Sequence, residues 1–357
     1  MVDAVPRLRA ALSALPAYRP GRAPSGGGGP AFKLSSNENP YPPLPSVLGV
    51  LADADRLVNR YPDMFATGLV HRIAARHGVA AEQVVCGTGS VGVLGQVVQA
   101  TCEAGDEVVF AWRSFEAYPI VVGVSGATAV RVPLAPDGRH DLDAMVAAVT
   151  ERTRLVLVCS PNNPTGPAVH REEMLDLLRR VPRDVVVVLD EAYAEFVRDP
   201  AAVEGPPLLE QHPNLVVLRT FSKAYGLAAL RVGYALATPV VADALRATAV
   251  PFGVSGPAQA AALASLDAED ELLERVGDLV TERDRVRAAL RGVGWEVPEP
   301  QGNFVWLALG DRTEEFVAAC EAVGVTVRGF PGEGARCSIG EPEANDLLVR
   351  TAGGFAP

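Results

Sequence analysis

Five apolar residues in a row, Val185-Val186-Val187-Val188-Leu189, run straight into Asp190-Glu191-Ala192-Tyr193. An unbroken β-branched run of this length forms a strand covered on both faces, since a strand with one wet face would alternate polar and apolar positions. The chain repeats the device at 107–110, 129–133, 154–159, 215–218 and 232–236, with helical patterns at 141–150 and 171–180 between strands. A further helical pattern precedes them at 68–78, where Leu69, Ile73 and Ala74 share one face. Strands of this kind, separated by helices, predict an α/β fold in which a largely parallel sheet is sandwiched between helices.

The texture changes after about residue 257. A charged helix is expected over 269–291, with acids early and arginines late to match its dipole. A strand, helix, strand and strand then follow at 304–308, 313–322, 325–328 and 336–339, with a last helix from Glu341. A length of 357 residues allows two domains. The expected division is an N-terminal arm over 1–45 that belongs with the small domain, a large domain over 46–256, and a small α+β domain over 257–357. Within the arm, Gly26-Gly27-Gly28-Gly29 lies between prolines and reads as a linker or open loop.

Charge narrows the function. Thirty-two basic against 43 acidic residues give a net charge of −11, the wrong sign for a phosphate-backbone partner, so nucleic acid is excluded as the main one. No apolar run approaches the ~18 residues of a membrane span, and the first residues, Met1-Val2-Asp3, start no apolar signal core. Five scattered cysteines form no Cys-x-x-Cys pair, which argues against a disulfide framework or a metal site. The expectation is a cytoplasmic protein with no bound metal and no membrane association.

Four segments carry chemistry. Asp190 stands at the end of a buried strand, where ligands of open α/β sheets collect; there it can hold a cation or a protonated ring nitrogen, cap a helix, or bind Mg²⁺. Lys223, in Thr220-Phe221-Ser222-Lys223-Ala224-Tyr225-Gly226, also follows a strand. It can serve as a Schiff-base nucleophile if burial and a cationic neighbour lower its pKa, or be an ordinary surface lysine. The nearby hydroxyls with Arg231 can bind phosphate. The spacing from Asp190 to Lys223 suits one β-α-β step. Ser160-Pro161-Asn162-Asn163-Pro164-Thr165-Gly166 makes a rigid turn, either a plain Asx turn or one that presents an amide to a ligand. Gly87-Thr88-Gly89-Ser90-Val91 offers free backbone N–H groups ahead of a helix, a phosphate cradle that is weak evidence alone.

Taken in order, these segments resemble the fold-type-I aminotransferases that use pyridoxal 5′-phosphate, and within them the histidinol-phosphate aminotransferase branch. The likeness extends to Ser36-Asn37-Glu38-Asn39-Pro40, Asn59-Arg60-Tyr61-Pro62, Asp190-Glu191-Ala192-Tyr193, Arg231-Val232-Gly233, Gln301-Gly302-Asn303-Phe304 and Ala335-Arg336-Cys337-Ser338. It implies a seven-stranded, mostly parallel sheet in the large domain. It also implies Lys223 as the catalytic lysine that carries the cofactor and moves the Cα proton, and Asp190 at the pyridinium nitrogen. Asn163 and Tyr193 would meet the ring's phenolic oxygen; Ser90, Val91, Thr220, Ser222 and Arg231 would hold the phosphate. Tyr61 would reach the phosphate of a neighbouring subunit, making a homodimer with shared sites. Arg336 would clamp the substrate carboxylate, and Asn37 would lie in the arm that closes over it.

One run departs from the histidinol-phosphate pattern. Trp112-Arg113-Ser114-Phe115-Glu116 resembles the aromatic amino acid aminotransferases of high-GC Gram-positive bacteria, and it puts Phe115 where a ring stacks on the cofactor. The implied reaction takes the amino group of phenylalanine, tyrosine or tryptophan to 2-oxoglutarate, giving an aryl-pyruvate and glutamate by a ping-pong route. The alternative is histidinol-phosphate aminotransferase, which needs a cationic pocket; Arg328 either serves such a pocket or only the sheet. A lyase of similar fold would use the same lysine for decarboxylation. A regulator on this fold would carry an N-terminal DNA-binding domain, for which the residues before the core are too few and too rich in Gly and Pro.

Overall fold

In chain order the strands are β1 (Phe32–Leu34), β2 (Val84–Gly87), β3 (Glu107–Trp112), β4 (Thr128–Pro133), β5 (Thr153–Cys159), β6 (Val186–Asp190), β7 (Leu215–Thr220), β8 (Gly233–Leu236), β9 (Phe304–Leu307), β10 (Val325–Phe330) and β11 (Gly334–Ser338). They belong to a computed structural model that describes residues 31–54 and 58–356, with Pro6, Leu8, Arg9, Leu12, Leu15, Pro16, Ala17 and Gly21 ahead of them. The tetraglycine run and Met1-Val2-Asp3 lie outside the described residues.

Seven strands form one sheet in the order β2-β8-β7-β6-β5-β3-β4. Only β8 opposes its neighbours; every other pair is parallel. It follows that β2, β3, β5, β6 and β7 all finish at one edge of the sheet, and that β8 begins there. Both faces are covered, as the unbroken apolar runs require. Along β6, Val187 and Leu189 pack with Val156, Val158 and Val217 on one face, while Val188 packs with Phe110, Leu157 and Leu218 on the other. Each such buried side chain contributes about 1.5–3 kcal/mol. Period-2 alternation then puts Asp190 on the Val188 face and Glu191 on the opposite one.

A second sheet has the order β1-β10-β11-β9. β1 lies parallel to β10, and β10-β11-β9 is antiparallel throughout. β1 is therefore a strand of the sheet otherwise built from residues after 303. The charged helix spans Glu269–Gly292, with Glu269, Asp270 and Glu271 in its first turn and Arg291 in its last, as its charge order predicts.

Several elements differ from the sequence reading. The connection from Asp190 to Lys223 contains no α-helix, only two short 3₁₀ turns at Ala194–Phe196 and Pro206–Leu208. Pro200, Pro206, Pro207 and Pro213 explain this, because proline clashes with the preceding turn and lacks the N–H of a helix interior. β1, β2 and the helices Pro45–Ala54, Tyr118–Ser125, Pro239–Ala247 and Gly256–Asp267 are additions to it. Among the described residues no helix is long and apolar enough to cross a membrane.

Candidate active site at the carboxyl edge of the sheet

The strand ends converge on a cavity of ≈ 290 Å³. β2 delivers Ser90 and Val91, β3 delivers Phe115, β5 delivers Asn163, β6 ends on Asp190, β7 delivers Thr220, Ser222 and Lys223, and Arg231 precedes β8; all line the cavity, as do Tyr193 and Arg336. Sheet topology alone brings these segments together, since each follows a strand finishing, or precedes one starting, at the same edge.

At one end is an anion cradle. Ser90 and Val91 occupy the first turn of the helix Gly89–Thr101, where backbone N–H groups have no helical acceptor. Arg231 adopts φ 54°, a left-handed conformation that costs a non-glycine residue about 1–3 kcal/mol. Its Nη1 donates to Ser222 Oγ at 3.2 Å and to the Ala228 carbonyl at 2.8 Å. The Ser222 N–H donates to Thr220 Oγ1 at 3.1 Å. Space is tight: a Cβ on Gly233 would lie 2.5 Å from the Ser90 nitrogen, and one on Gly89 2.5 Å from Arg231 Nη2. A guanidinium, two hydroxyls and a helix N-terminus around one point suit a phosphate dianion.

The deep wall carries a carboxylate. Asp190 is buried, and its Oδ2 accepts a hydrogen bond from Tyr118 Oη at 2.9 Å. Its Oδ1 is buried with no hydrogen-bond partner among the described residues. Burial raises its pKa to about 6, against the pull of Tyr118, the Ala192 N–H and Lys223. A carboxylate with one oxygen left over is a receptor for a cationic N–H. The adjacent Glu191 points away: its Oε2 accepts from Arg219 Nε at 2.8 Å in a buried pair, so it supports the structure behind the site.

Between these ends sits Lys223. Burial, then the guanidinium of Arg336 and, more weakly, that of Arg231, lower its pKa to about 7, outweighing Glu38 and Asp190. Its Nζ donates to the Ser36 carbonyl at 3.2 Å and lies 5.9 Å from the Tyr193 ring centre. Tyr193 Oη accepts from Asn37 Nδ2 at 2.9 Å. Asn37, fully buried at φ 53°, also accepts from Ser338 Oγ at 2.8 Å. Arg336 Nη1 donates to Asn163 Oδ1 and Nη2 to the Ser35 carbonyl, both at 2.7 Å. The 35–37 segment thus ties lysine, tyrosine and arginine into one network across the two sheets.

Two expected residues do not line the cavity: Asn37, which lies behind it and reaches it through Tyr193, and Tyr61. The Tyr61 side chain is 82% exposed, and its ring lies 4.6 Å from that of Phe252. Sequence reasoning passed over Tyr118, which holds Asp190, and Ser35, Ser36 and Ser338, which position the network. Ser36 and Ser338 stand inside the Asn37 and Arg336 motifs, with Ser35 beside the first, and could have been weighed with them, whereas Tyr118 carries no signal to separate it from a core aromatic. Arg328 does face the cavity, and it is paired with Glu116 at 2.7 Å.

Comparison with known proteins accords with this geometry. Residues 30–349 match the family described as aminotransferase class I and II. The sequence is 59% identical to an aromatic amino acid aminotransferase of Streptomyces avermitilis over 99% of each chain. It is 58% identical to one from Streptomyces coelicolor, again over 99% of each. Among solved structures, histidinol-phosphate aminotransferase from Sinorhizobium meliloti in complex with pyridoxal 5′-phosphate superimposes with a TM-score of 0.88 at 29% identity, covering 99% of each chain.

Proposed function

We propose a substrate and a set of residue roles for a chain that belongs to the class I and II aminotransferases, a pyridoxal-phosphate-dependent family. The enzyme moves the amino group of an aromatic L-amino acid, phenylalanine, tyrosine or tryptophan, to 2-oxoglutarate, giving an aryl-pyruvate and glutamate. Full-length likeness to relatives named for aromatic substrates carries this reading. The ring-bearing wall of the cavity, with Phe115 and Phe330, supports it.

The residues present fit the cofactor. The unpaired Asp190 Oδ1 suits its ring nitrogen, and the cradle of Ser90, Val91, Thr220, Ser222 and Arg231 suits its phosphate. Phe115 is assigned to the ring face, Asn163 and Tyr193 to the phenolic oxygen, and Lys223 to the carbonyl carbon. When bound, the cofactor supplies an electron sink for the carbanion left by loss of the Cα proton. Lys223, whose pKa burial and Arg336 lower to about 7 in the ligand-free site, takes that proton at Nζ and returns it on the other side of the transfer. Arg336 binds the substrate carboxylate through its fork, giving up its contacts with Asn163 and Ser35. Ser36 lines the cavity, and Asn37, held behind it by Tyr193 and Ser338, fixes that segment in place.

The arm, large domain and small domain are taken as 1–45, 46–256 and 257–357; β1 in the second sheet supports assigning the arm to the small domain. A homodimer with shared sites is supported by an exposed apolar face bearing Tyr61, Phe65, Val250 and Phe252. Tyr61 is assigned to the partner's phosphate cradle, and the cytoplasm to the enzyme's location. The deciding experiment mixes holoenzyme with phenylalanine or with histidinol phosphate and follows the cofactor's visible band. Fast conversion with phenylalanine and slow conversion with histidinol phosphate is expected. The reverse would make this a histidinol-phosphate aminotransferase, the second reading, which the structural likeness favours.

A further inference from the structure

Two arginines stand beside one another on the second sheet. Arg328 of β10 and Arg336 of β11 are register partners in an antiparallel pair, so their side chains leave the same face, with Cβ atoms about 5 Å apart. Both line the cavity. While Arg336 is held by Asn163 and Ser35, Arg328 meets a carboxylate. Its Nε donates to Glu116 Oε2 at 3.1 Å, and its Nη2 donates to Oε2 at 2.7 Å and Oε1 at 2.9 Å. Glu116 directly follows Phe115 and lines the same cavity. The pair is largely covered, with 11% of the arginine side chain and 28% of the glutamate exposed.

Two adjacent guanidinium groups without a counter-charge would form a strong receptor for a dianion. Here the Arg328 fork is engaged by a carboxylate of the protein itself, and the local charge falls from two positive to one. We infer that Glu116 is a specificity-determining residue: by occupying the Arg328 fork beside Arg336, it disfavours substrates that carry a dianion, above all a phosphate monoester, where an aromatic amino acid carries its single α-carboxylate. A dianion that takes both guanidinium groups must displace Glu116 and leave a half-buried carboxylate without its cation, which is unfavourable. A single carboxylate needs only Arg336, so an aromatic amino acid binds with the ion pair shut. The inference rests on the aromatic reading and adds a residue that enforces it.

The test measures half-reaction rate constants at sub-saturating substrate for wild-type, Glu116→Gln and Arg328→Gln holoenzymes. The quantity read is the ratio of histidinol phosphate to phenylalanine, which cancels general damage to the fold. Glu116→Gln keeps the size of the side chain and removes its charge, and should raise the ratio at least tenfold. Arg328→Gln leaves the Glu116 charge facing the cavity, and should lower it at least threefold. An unchanged ratio in Glu116→Gln, or movement in the same direction in both variants, overturns the inference. The aromatic reading is judged separately, from the wild-type ratio alone.

Discussion

Lys223 owes its chemistry to what surrounds it. An ordinary lysine near pKa 10.5 is almost wholly protonated at neutral pH, whereas burial beside Arg336 brings this one to about 7. Only the neutral amine can attack an aldehyde, so capture of pyridoxal phosphate by the apoenzyme should quicken as pH rises from 6 to 8, with a midpoint near 7. Stopped-flow absorbance reads this directly; a rate still climbing tenfold per unit at pH 9 would contradict it. At Asp190 the sign is opposite. The Tyr118 hydroxyl favours the ionised carboxylate, so Tyr118→Phe should raise the carboxyl pKa above about 6. Loss of a buried hydrogen bond to a charged group costs about 1.5–3 kcal/mol. Cofactor affinity should therefore fall roughly tenfold or more at pH 6.5, and by less at pH 8.5, as measured by equilibrium titration. An equal loss at both pH values would mean that Tyr118 acts through packing alone.

At the scale of elements, the site depends on how closely β8 approaches the helix that follows β2. Gly233 pairs with Gly87 across these strands, and its missing side chain leaves room for the Ser90 nitrogen. Gly233→Ala must push backbone against backbone, so the cradle should open. Cofactor retention on gel filtration should drop sharply while the far-ultraviolet dichroism stays near wild type; full retention would show that the strand can shift at little cost. Much of this layer was legible beforehand. The runs around Val187, Val156 and Val216 announced buried strands because no polar residue interrupts them, and Asp190, Asn163 and Lys223 fell at strand ends by counting alone. Other parts were not legible. β1 has three residues whose pairing is set by β10, information absent from its own neighbourhood. β2 has only three apolar residues before Gly87 ends the run. Tyr118 looked like a core aromatic because its face is core; only the hydroxyl distinguishes it.

For the molecule as a whole, the exposed Tyr61 ring matters most. If a second subunit covers that face and Tyr61 touches its phosphate, Tyr61→Phe should weaken cofactor binding about tenfold through one lost charge-assisted hydrogen bond, with dimerisation intact in sedimentation. Unchanged affinity would remove Tyr61 from the partner's site. The pairing of β1 with β10, and of Ser35 with Arg336 across 301 residues, also bears on how the protein is made. A ribosome adding about 5–20 residues per second completes Ser35 roughly 15–60 s before Arg336. Only for about the last 100 residues of that interval, roughly 5–20 s after Leu236 completes the seven strands of the large sheet, does the nascent chain hold Asp190 and Lys223 together while it still lacks Arg336. The guanidinium that helps lower the Lys223 pKa, and that is assigned to the substrate, thus arrives only with the last few dozen residues, and a chain abandoned before them holds an ordinary lysine at its strand end.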